Sequence, residues 1–406
     1  MSTFRIAWRN LWRNGRRTAI TFAAVALNTA ILIVSFALMV GVVDDLVHNV
    51  TDLSLGQVQV HHPKYRSERS IYDTVEDPGK ILAAAREAGI AAAPRSYGFG
   101  LLSRATHSAG VQFCGVSPSA EKQISDLHQY MLLGEYLPDL PEKKVVIGRK
   151  LARTLEAKIG DELVVVVQAA DGSMGNELFY IAGVLKSVGE TLDRTLALVD
   201  QKDYEELFAA PGKVHEIALN SRGRLSEVAV AAAVAPVAGK NKVETWHELL
   251  PPLADMLEQM NGMLFLFGLV FFLAAGLGVM NTMLMATYER IREFGLLKAI
   301  GATPWRVLRE ISIEALTLAL VSTLVGGAVG VFFGWYFQEF PIDLSTFSPD
   351  GFSTMGVAMN PLWRAALTPE SVWIPIVMMW IISLLAALWP AIKAARLDPV
   401  KALTHI

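Results

Sequence analysis

Cysteine is nearly absent. Cys114 stands alone, which excludes an internal disulfide framework; a domain of this size does not need one. Charge is scarce too: Asp, Glu, Lys and Arg make up 18% of the 406 residues, below the roughly one quarter usual in soluble chains. The formal net charge of −3 points to no nucleic-acid partner. Catalytic signatures are also missing. There is no G-x-x-x-x-G-K-[ST], so the chain lacks the usual cradle for ATP phosphates. His247-Glu248 begins like a metalloprotease helix but has no second histidine in register, and His61-His62 have no companions at metal-ligand spacing. No G-x-S-x-G stands out. The residues therefore nominate no catalytic centre, no metal and no cofactor within this chain, and the eight histidines read as ordinary surface or core residues.

What is abundant is apolar. Hydrophobic residues make up 52% of the chain, mean hydropathy is +0.37, and the excess sits in long blocks near the two ends. These predict four transmembrane helices at 18–43, 262–288, 311–338 and 372–391. The first block follows an arginine-rich approach, as a signal peptide would. Its apolar stretch is too long for that, and no small-x-small cleavage site follows. Trp373 and Trp389 sit where interfacial aromatic belts are expected.

Basic residues set the expected orientation. Arg5, Arg9, Arg13, Arg16 and Arg17 precede the first span, and Arg290, Arg292, Lys298, Arg306 and Arg309 lie between the second and third. Lys393, Arg396 and Lys401 follow the fourth, whereas the 339–371 loop carries Glu339, Asp343, Asp350 and Glu370 against Arg364. The positive-inside rule predicts cytoplasmic termini, a cytoplasmic 289–310 loop and an outward-facing 44–261 region. Phe4, Trp8, Leu11 and Trp12 recur at helical spacing beside Arg5, Arg9 and Arg13, which predicts an amphipathic helix over 1–17 on the inner membrane surface. A plain cytoplasmic flank is the alternative.

Pro251 and Pro252 suit the first turn of a helix, and no breaker follows until Gly262, so the second span is expected to begin outside the bilayer. From Pro251 to Tyr288 such a helix would run on the order of 55 Å, against about 30 Å of hydrocarbon. The first span can likewise continue through 44–53. These extensions would be stalks able to relay movement, or simply connectors. Gly326, Gly330 and Gly334 recur every four residues and predict a close helix-packing face. Glu314 is a carboxylate in an apolar setting near the start of the third span; it is either functional or bonded to an interfacial or backbone partner.

Between the spans the pattern changes to that of an α+β extracytoplasmic domain, with two subdomains expected. Strands are predicted at 57–61, 162–168, 178–184 and 195–200, and helices around 78–88, 204–208 and 225–233. The turn at 171–176 should close a hairpin with a tip of about six residues.

The stretch Asn281-Thr-Met…Tyr288-Glu289-Arg290-Ile-Arg292-Glu293-Phe294-Gly295-Leu-Leu-Lys298-Ala-Ile-Gly301-Ala302-Thr303 strongly resembles the FtsX-like permeases of ABC transporters, a family that includes lipoprotein-releasing and macrolide-exporter permeases. Pro390-Ala-Ile-Lys-Ala394-Ala395-Arg396-Leu-Asp398-Pro399-Val-Lys-Ala402-Leu403 looks like the family's closing motif, and Ala7-Trp8-Arg9-Asn10 fits its start. Gly115 to Pro118, Gly134-Glu135-Tyr136-Leu137, Ile147-Gly148 and Lys158 to Asp161 fit its outer domain. Together these pieces span nearly the whole chain.

The resemblance implies a multi-pass inner-membrane permease with a periplasmic domain, paired with a second permease chain and an ABC ATPase dimer that binds ATP and Mg. Glu289, Arg290, Arg292, Glu293, Phe294, Gly295, Lys298, Gly301 and Ala302 become candidates for a coupling helix that docks the ATPase. By themselves these residues fit a solvated, orientation-holding loop equally well. The resemblance also implies mechanotransmission, and with no fused ATPase motif the lipoprotein-releasing type is the nearer match. The expected cargo is a lipoprotein or another amphiphile, with Met263, Leu264, Phe267 and Phe271 as candidate lining; lipid-facing or packing roles suit them as well. A periplasmic chaperone is a further implied partner, although the tip at 169–176 is shorter than the protruding hairpin of the chaperone-recruiting permease. Drug or peptide efflux through an adaptor and outer-membrane channel, or control of an envelope enzyme, are the alternatives.

Overall fold

The computed structural model describes residues 15–344, 352–354, 357–359 and 361–396. The amphipathic segment expected over 1–17 lies outside these residues up to Asn14, as does the tail from 397 on. The chain divides into two compact units. One comprises Met1–Val43, Leu257–Asp343 and Leu362–Ile406; the other comprises Asp44–Met256 and Leu344–Pro361.

Four helices are long and apolar enough to cross a membrane: α1 (Gly15–Val50), α8 (Pro251–Glu289), α10 (Pro304–Glu339) and α11 (Pro369–Ala395). Their ends follow local chemistry. Pro304 occupies the first turn of α10, behind Thr303. Thr368 and Ser371 form a capping box on α11. α10 thus starts seven residues before the apolar run that announces it, because Pro304 supplies a helix start that hydropathy does not register. Pro375 and Pro390 lie inside α11, which continues four residues past the 391 expected as the end of the fourth span. α8 runs 39 residues from Pro251, about 58 Å at 1.5 Å per residue. α1 gives way to a π-helical turn over Thr51–Leu55.

Small residues bring α1 and α10 together. A Cβ built on Gly326 would lie 2.8 Å from Ala26 Cα, and one on Gly330 would lie 2.9 Å from Ile33 Cβ and 3.1 Å from Ala30 Cα. Gly334 faces Leu367 instead, at 2.8 Å. Some polar side chains within the spans bond to their own helix, Thr29 donating to Val25 O and Thr317 to Ile313 O, and Trp380 Nε1 of α11 donates across to Thr323 Oγ1 of α10 at 2.8 Å. Such pairings are what hydrocarbon demands of polar groups.

The second unit is built on a sheet of ten strands: β1 (Val58–His61), β2 (Ala91–Arg104), β3 (His107–Val116), β4 (Met131–Gly134), β5 (Lys144–Ile147), β6 (Glu162–Gln168), β7 (Met174–Leu185), β8 (Leu196–Asp200), β9 (Glu216–Asn220) and β10 (Lys242–Thr245). Its strand order is β10-β1-β9-β2-β3-β8-β5-β7-β4, and β6 pairs with both β2 and β7. That double pairing closes β2-β3-β8-β5-β7-β6 into a ring around Leu102, Phe113, Val165, Phe179 and Val199. β6 alternates buried and outward residues along ELVVVVQ, as its period-two pattern requires.

β2 serves two layers. Ala91–Arg95 pair with β9 and Gly100–Ser103 with β6. On the β9 side, Ile81 and Ala85 of α2 (Pro78–Glu87) and Val230 and Val234 of α7 (Glu227–Val234) cover Val58, Val60, Ile217 and Leu219. Among the helices between these two, α3 (Pro118–Ile124) and α6 (Gln201–Leu207) flank β2 and β3. Arg95, 4% exposed, binds Glu121 of α3 at 2.7 Å and Glu216 of β9 at 3.1 Å. The hairpin tip is shorter than expected. Gln168 pairs directly with Met174, so Met174 to Asn176 belong to β7 and the tip is 169–173.

Two predictions follow from this packing. Gly330→Val places methyl groups against Ile33 and Ala30, an overpacking that costs about 1–3 kcal/mol. Thermal unfolding in mild detergent should show a lower midpoint, while Gly262→Ala, whose Cβ would meet nothing within 4 Å, should leave it nearly unmoved. The second concerns His215. Its Nδ1 accepts from the Tyr97 N–H and its Nε2 donates to Ile71 O, each at 3.0 Å. Burial holds its pKa below the ordinary 6.5, with the Ile71 bond opposing. A depressed histidine stabilises the fold above its unfolded pKa and loses that contribution as pH falls through its folded value. Unfolding should therefore become easier as pH drops below about 6.5, and His215→Gln should flatten that dependence.

Candidate functional site

The corner between α8 and α10 is formed by α9 (Ile291–Ala299). Gly301, at φ +95°, ends it: Gly301 N–H donates to Lys298 O and Ala302 N–H to Leu297 O. This pairing satisfies carbonyls that the helix end leaves open and requires a left-handed residue, which glycine supplies at least cost.

One guanidinium organises the corner. Arg290, 8% exposed, donates from Nε to Glu293 at 3.0 Å, from Nη1 to Glu314 at 3.0 Å and from Nη2 to Glu310 at 2.9 Å. Its Cζ lies 5.1 Å from the centre of the Phe294 ring. Glu314, 4% exposed, is thus matched by the end of α8. A rigid planar fork can serve three carboxylates at once, which an ammonium cannot do in the same geometry.

Phe294, expected as an apolar residue offered to a partner, is instead 1% exposed. It packs with Val307 and Ile311 of α10 and Ala391 and Ala394 of α11. Gly295 is buried beside it. The reason is amphipathicity: residues 290, 294 and 298 share one face of α9, and that face turns toward the spans. Lys298 Nζ donates to Ala395 O at 2.9 Å, closing the end of α11. Glu289 at the end of α8 pairs with Arg17 of α1 at 2.9 Å.

Arg292, Glu293, Leu296, Ile300 and Trp305 face outward. Leu296 is 57% exposed, Ile300 75% and Trp305 70%. Sequence reasoning stressed Phe294 and missed Ile300 and Trp305. Their signal was two large apolar residues flanking Gly301 in an otherwise charged loop. In α8, Met263 and Phe267 are exposed, Leu264 is half-buried, and Phe271 packs partly against the span core.

Arg290→Met should leave Glu310 and Glu314 without this partner, a loss of about 3–5 kcal/mol for a broken buried pair. Arg290→Lys should recover part of it and Glu293→Ala should cost little, since that carboxylate is half-exposed. Thermal unfolding of the purified membrane protein reads all three.

Comparison with known proteins matches residues 265–399 to the FtsX-like permease C-terminal family and residues 18–238, more than half of the chain, to the MacB-like periplasmic core domain. The lipoprotein-releasing system transmembrane protein LolC of Xylella fastidiosa (strain 9a5c) is 24% identical over 412 residues, covering 97% of this chain and 95% of that protein. LolC of Neisseria meningitidis serogroup B is 23% identical over 329 residues, 78% of this chain and 77% of its own. The macrolide export ATP-binding/permease protein MacB of Nitrosomonas europaea is 25% identical over 431 residues, 99% of this chain but 59% of that protein. With four helices able to span a bilayer and a MacB-like periplasmic core, the chain is an inner-membrane protein with a periplasmic domain. It belongs to the FtsX-like family as an ABC transporter permease of the LolC and MacB type.

Proposed function

We propose that this permease extracts a lipid-anchored or similarly amphiphilic cargo from the outer leaflet of the inner membrane, driven by a separate ABC ATPase that binds ATP and Mg. The observation that carries this reading is the chemistry of the spans. Charge is scarce in them: Thr29 and Thr317 bond to their own helices, Trp380 bonds to Thr323, and the acid Glu314 is taken by Arg290. Little remains to line a hydrophilic path. The outer half of α8 instead exposes Met263, Phe265, Leu266 and Phe267, each more than half accessible. Moving a single myristoyl-sized chain into water costs roughly 10 kcal/mol at about 0.8 per methylene. A machine that releases such anchors therefore needs an apolar refuge, and Met263, Leu264, Phe267 and Phe271 are its proposed lining. LolC and MacB match this chain equally well, at 24% and 25% identity over 97% and 99% of its length, so the preference for extraction over efflux rests on the chemistry of the spans.

The basic residues of the corner and of both flanks support cytoplasmic termini and a cytoplasmic α9. The ATPase then docks on the outward face of α9, through Leu296, Ile300 and Trp305 with Arg292 and Glu293 around them. An apolar centre rimmed by charge suits a protein partner. Arg290, Phe294, Gly295, Lys298, Gly301 and Ala302 fix the pose of that face, and Glu289 ties it to α1. Movement passes from it along α8, whose 39 residues run without a break, to the periplasmic domain. A second permease chain, identical or related, completes the complex. The short 169–173 tip argues against chaperone docking by the longer-hairpin route.

The test is purification from the native membrane under crosslinking, followed by ATP-driven release of a triacylated lipoprotein from proteoliposomes. Co-purification of an ATPase with lipoproteins and ATP-dependent release are expected. An adaptor or outer-membrane channel in their place would move the assignment to efflux. Leu296→Asp with Ile300→Asp should reduce ATPase recovery at least tenfold, the equivalent of about 1.4 kcal/mol, without lowering the unfolding midpoint. Full recovery of the ATPase would displace the docking site from α9.

A further inference from the structure

A groove of about 700 Å³ lies between the basic end of α1 and the facing part of α8, within a single unit of the fold. Its lining is graded. Arg16 and Arg17 stand at one end, Thr21 and Asn281 come next, and Ile20 and Gly278 continue into the apolar stretch. We infer that this groove holds the headgroup of an anionic phospholipid, with its phosphate on Arg16 and Arg17 and the start of an acyl chain along Ile20 and Gly278.

Three observations converge on that ligand. Arg17 engages Glu289 through Nη1 at 2.9 Å and Nη2 at 3.4 Å, which leaves its Nε–H as a donor. That nitrogen is buried and has no hydrogen-bond partner, an arrangement that costs free energy until an acceptor arrives. Asn281 lies eight residues inside the end of α8, about 12 Å along the helix axis, with its side chain exposed on the groove. An amide facing bare hydrocarbon at that depth is unfavourable; ester or glycerol oxygens would satisfy it. Finally, Gly278 leaves real space, since a Cβ there would meet nothing within 4 Å.

The charge selects the headgroup. Two guanidiniums stand against the single carboxylate of Glu289 among the lining residues, an excess cation that a zwitterionic lipid answers less well than an anionic one. The apolar half selects a lipid over a free anion, because inorganic phosphate gains nothing from Ile20, Ala24 or Gly278. Arg17 is also the residue that joins α1 to the end of α8, one position before Arg290. A headgroup sharing Arg17 with Glu289 would therefore report membrane charge to the corner that carries α9. The leaflet follows from the orientation proposed above, whereas binding itself does not depend on it.

The full chain, purified in mild detergent and depleted of lipid, would be titrated with phosphatidylglycerol or phosphatidylcholine of matched acyl chains and read by native mass spectrometry. The expected result is a phosphatidylglycerol adduct that forms in preference to phosphatidylcholine. Arg16→Gln with Arg17→Gln should weaken it about tenfold, the loss of one charge-assisted hydrogen bond. Should that pair fail to fold, Gly278→Leu fills the groove with both arginines in place and should bring the same loss. Equal binding of the two lipids, unchanged binding by Gly278→Leu, or displacement of the lipid by millimolar inorganic phosphate would each overturn the inference. Because no ATPase or cargo enters the measurement, failure here leaves the extraction reading intact, and failure of release leaves this one intact.

Discussion

Three carboxylates from α9 and α10 converge on the buried guanidinium of Arg290, and the geometry of the corner depends on that meeting. The residue stands where α8 ends and α9 begins, so its side chain fixes the turn between them. Removing a charge from water is costly, and the cost is recovered only when the partners are well placed. That condition makes the corner a stiff joint. Phe294 seals it from beneath, against α10 and α11, and Lys298 ties it to the Ala395 carbonyl at the end of α11.

The periplasmic domain solves a comparable problem with β2. One long strand carries two layers, because its first residues pair with β9 and its later ones with β6. Arg95 stands on the β9 side of that change, held between Glu121 and Glu216. Ring closure through β6 removes open edges from that part of the sheet. What it leaves outward, at the 169–173 tip, is a tight turn.

In the membrane unit, the glycines of α10 do different jobs despite their regular spacing. Gly326 and Gly330 lie against the backbone of α1, and Gly334 meets Leu367. A four-residue repeat drifts around a helix of 3.6 residues per turn. A stripe read as one face therefore meets more than one neighbour over two or three turns.

The four apolar helices, the unbroken extension of α8 back to Pro251, and the strands at 58–61, 162–168 and 196–200 were legible in the amino-acid order. Hydropathy, proline placement and period-two alternation are local properties, and each residue carries its share without reference to distant ones. The motif around Glu289 to Thr303 marked the candidate corner only through its resemblance to the FtsX-like permeases. It did not say which of its residues face outward. Phe294 and Arg290 turn inward because Val307, Glu310, Glu314 and Ala391 wait for them, while Leu296, Ile300 and Trp305 are left outside. Glu314 likewise looked like an isolated acid until Arg290, 24 positions away, came within bonding distance. The sequence by itself determined which segments are helical and apolar, since backbone preference and burial of a periodic face act within a few residues. Only the tertiary structure decided which side chains meet and which remain accessible, because desolvation and ion pairing depend on neighbours that chain order does not name.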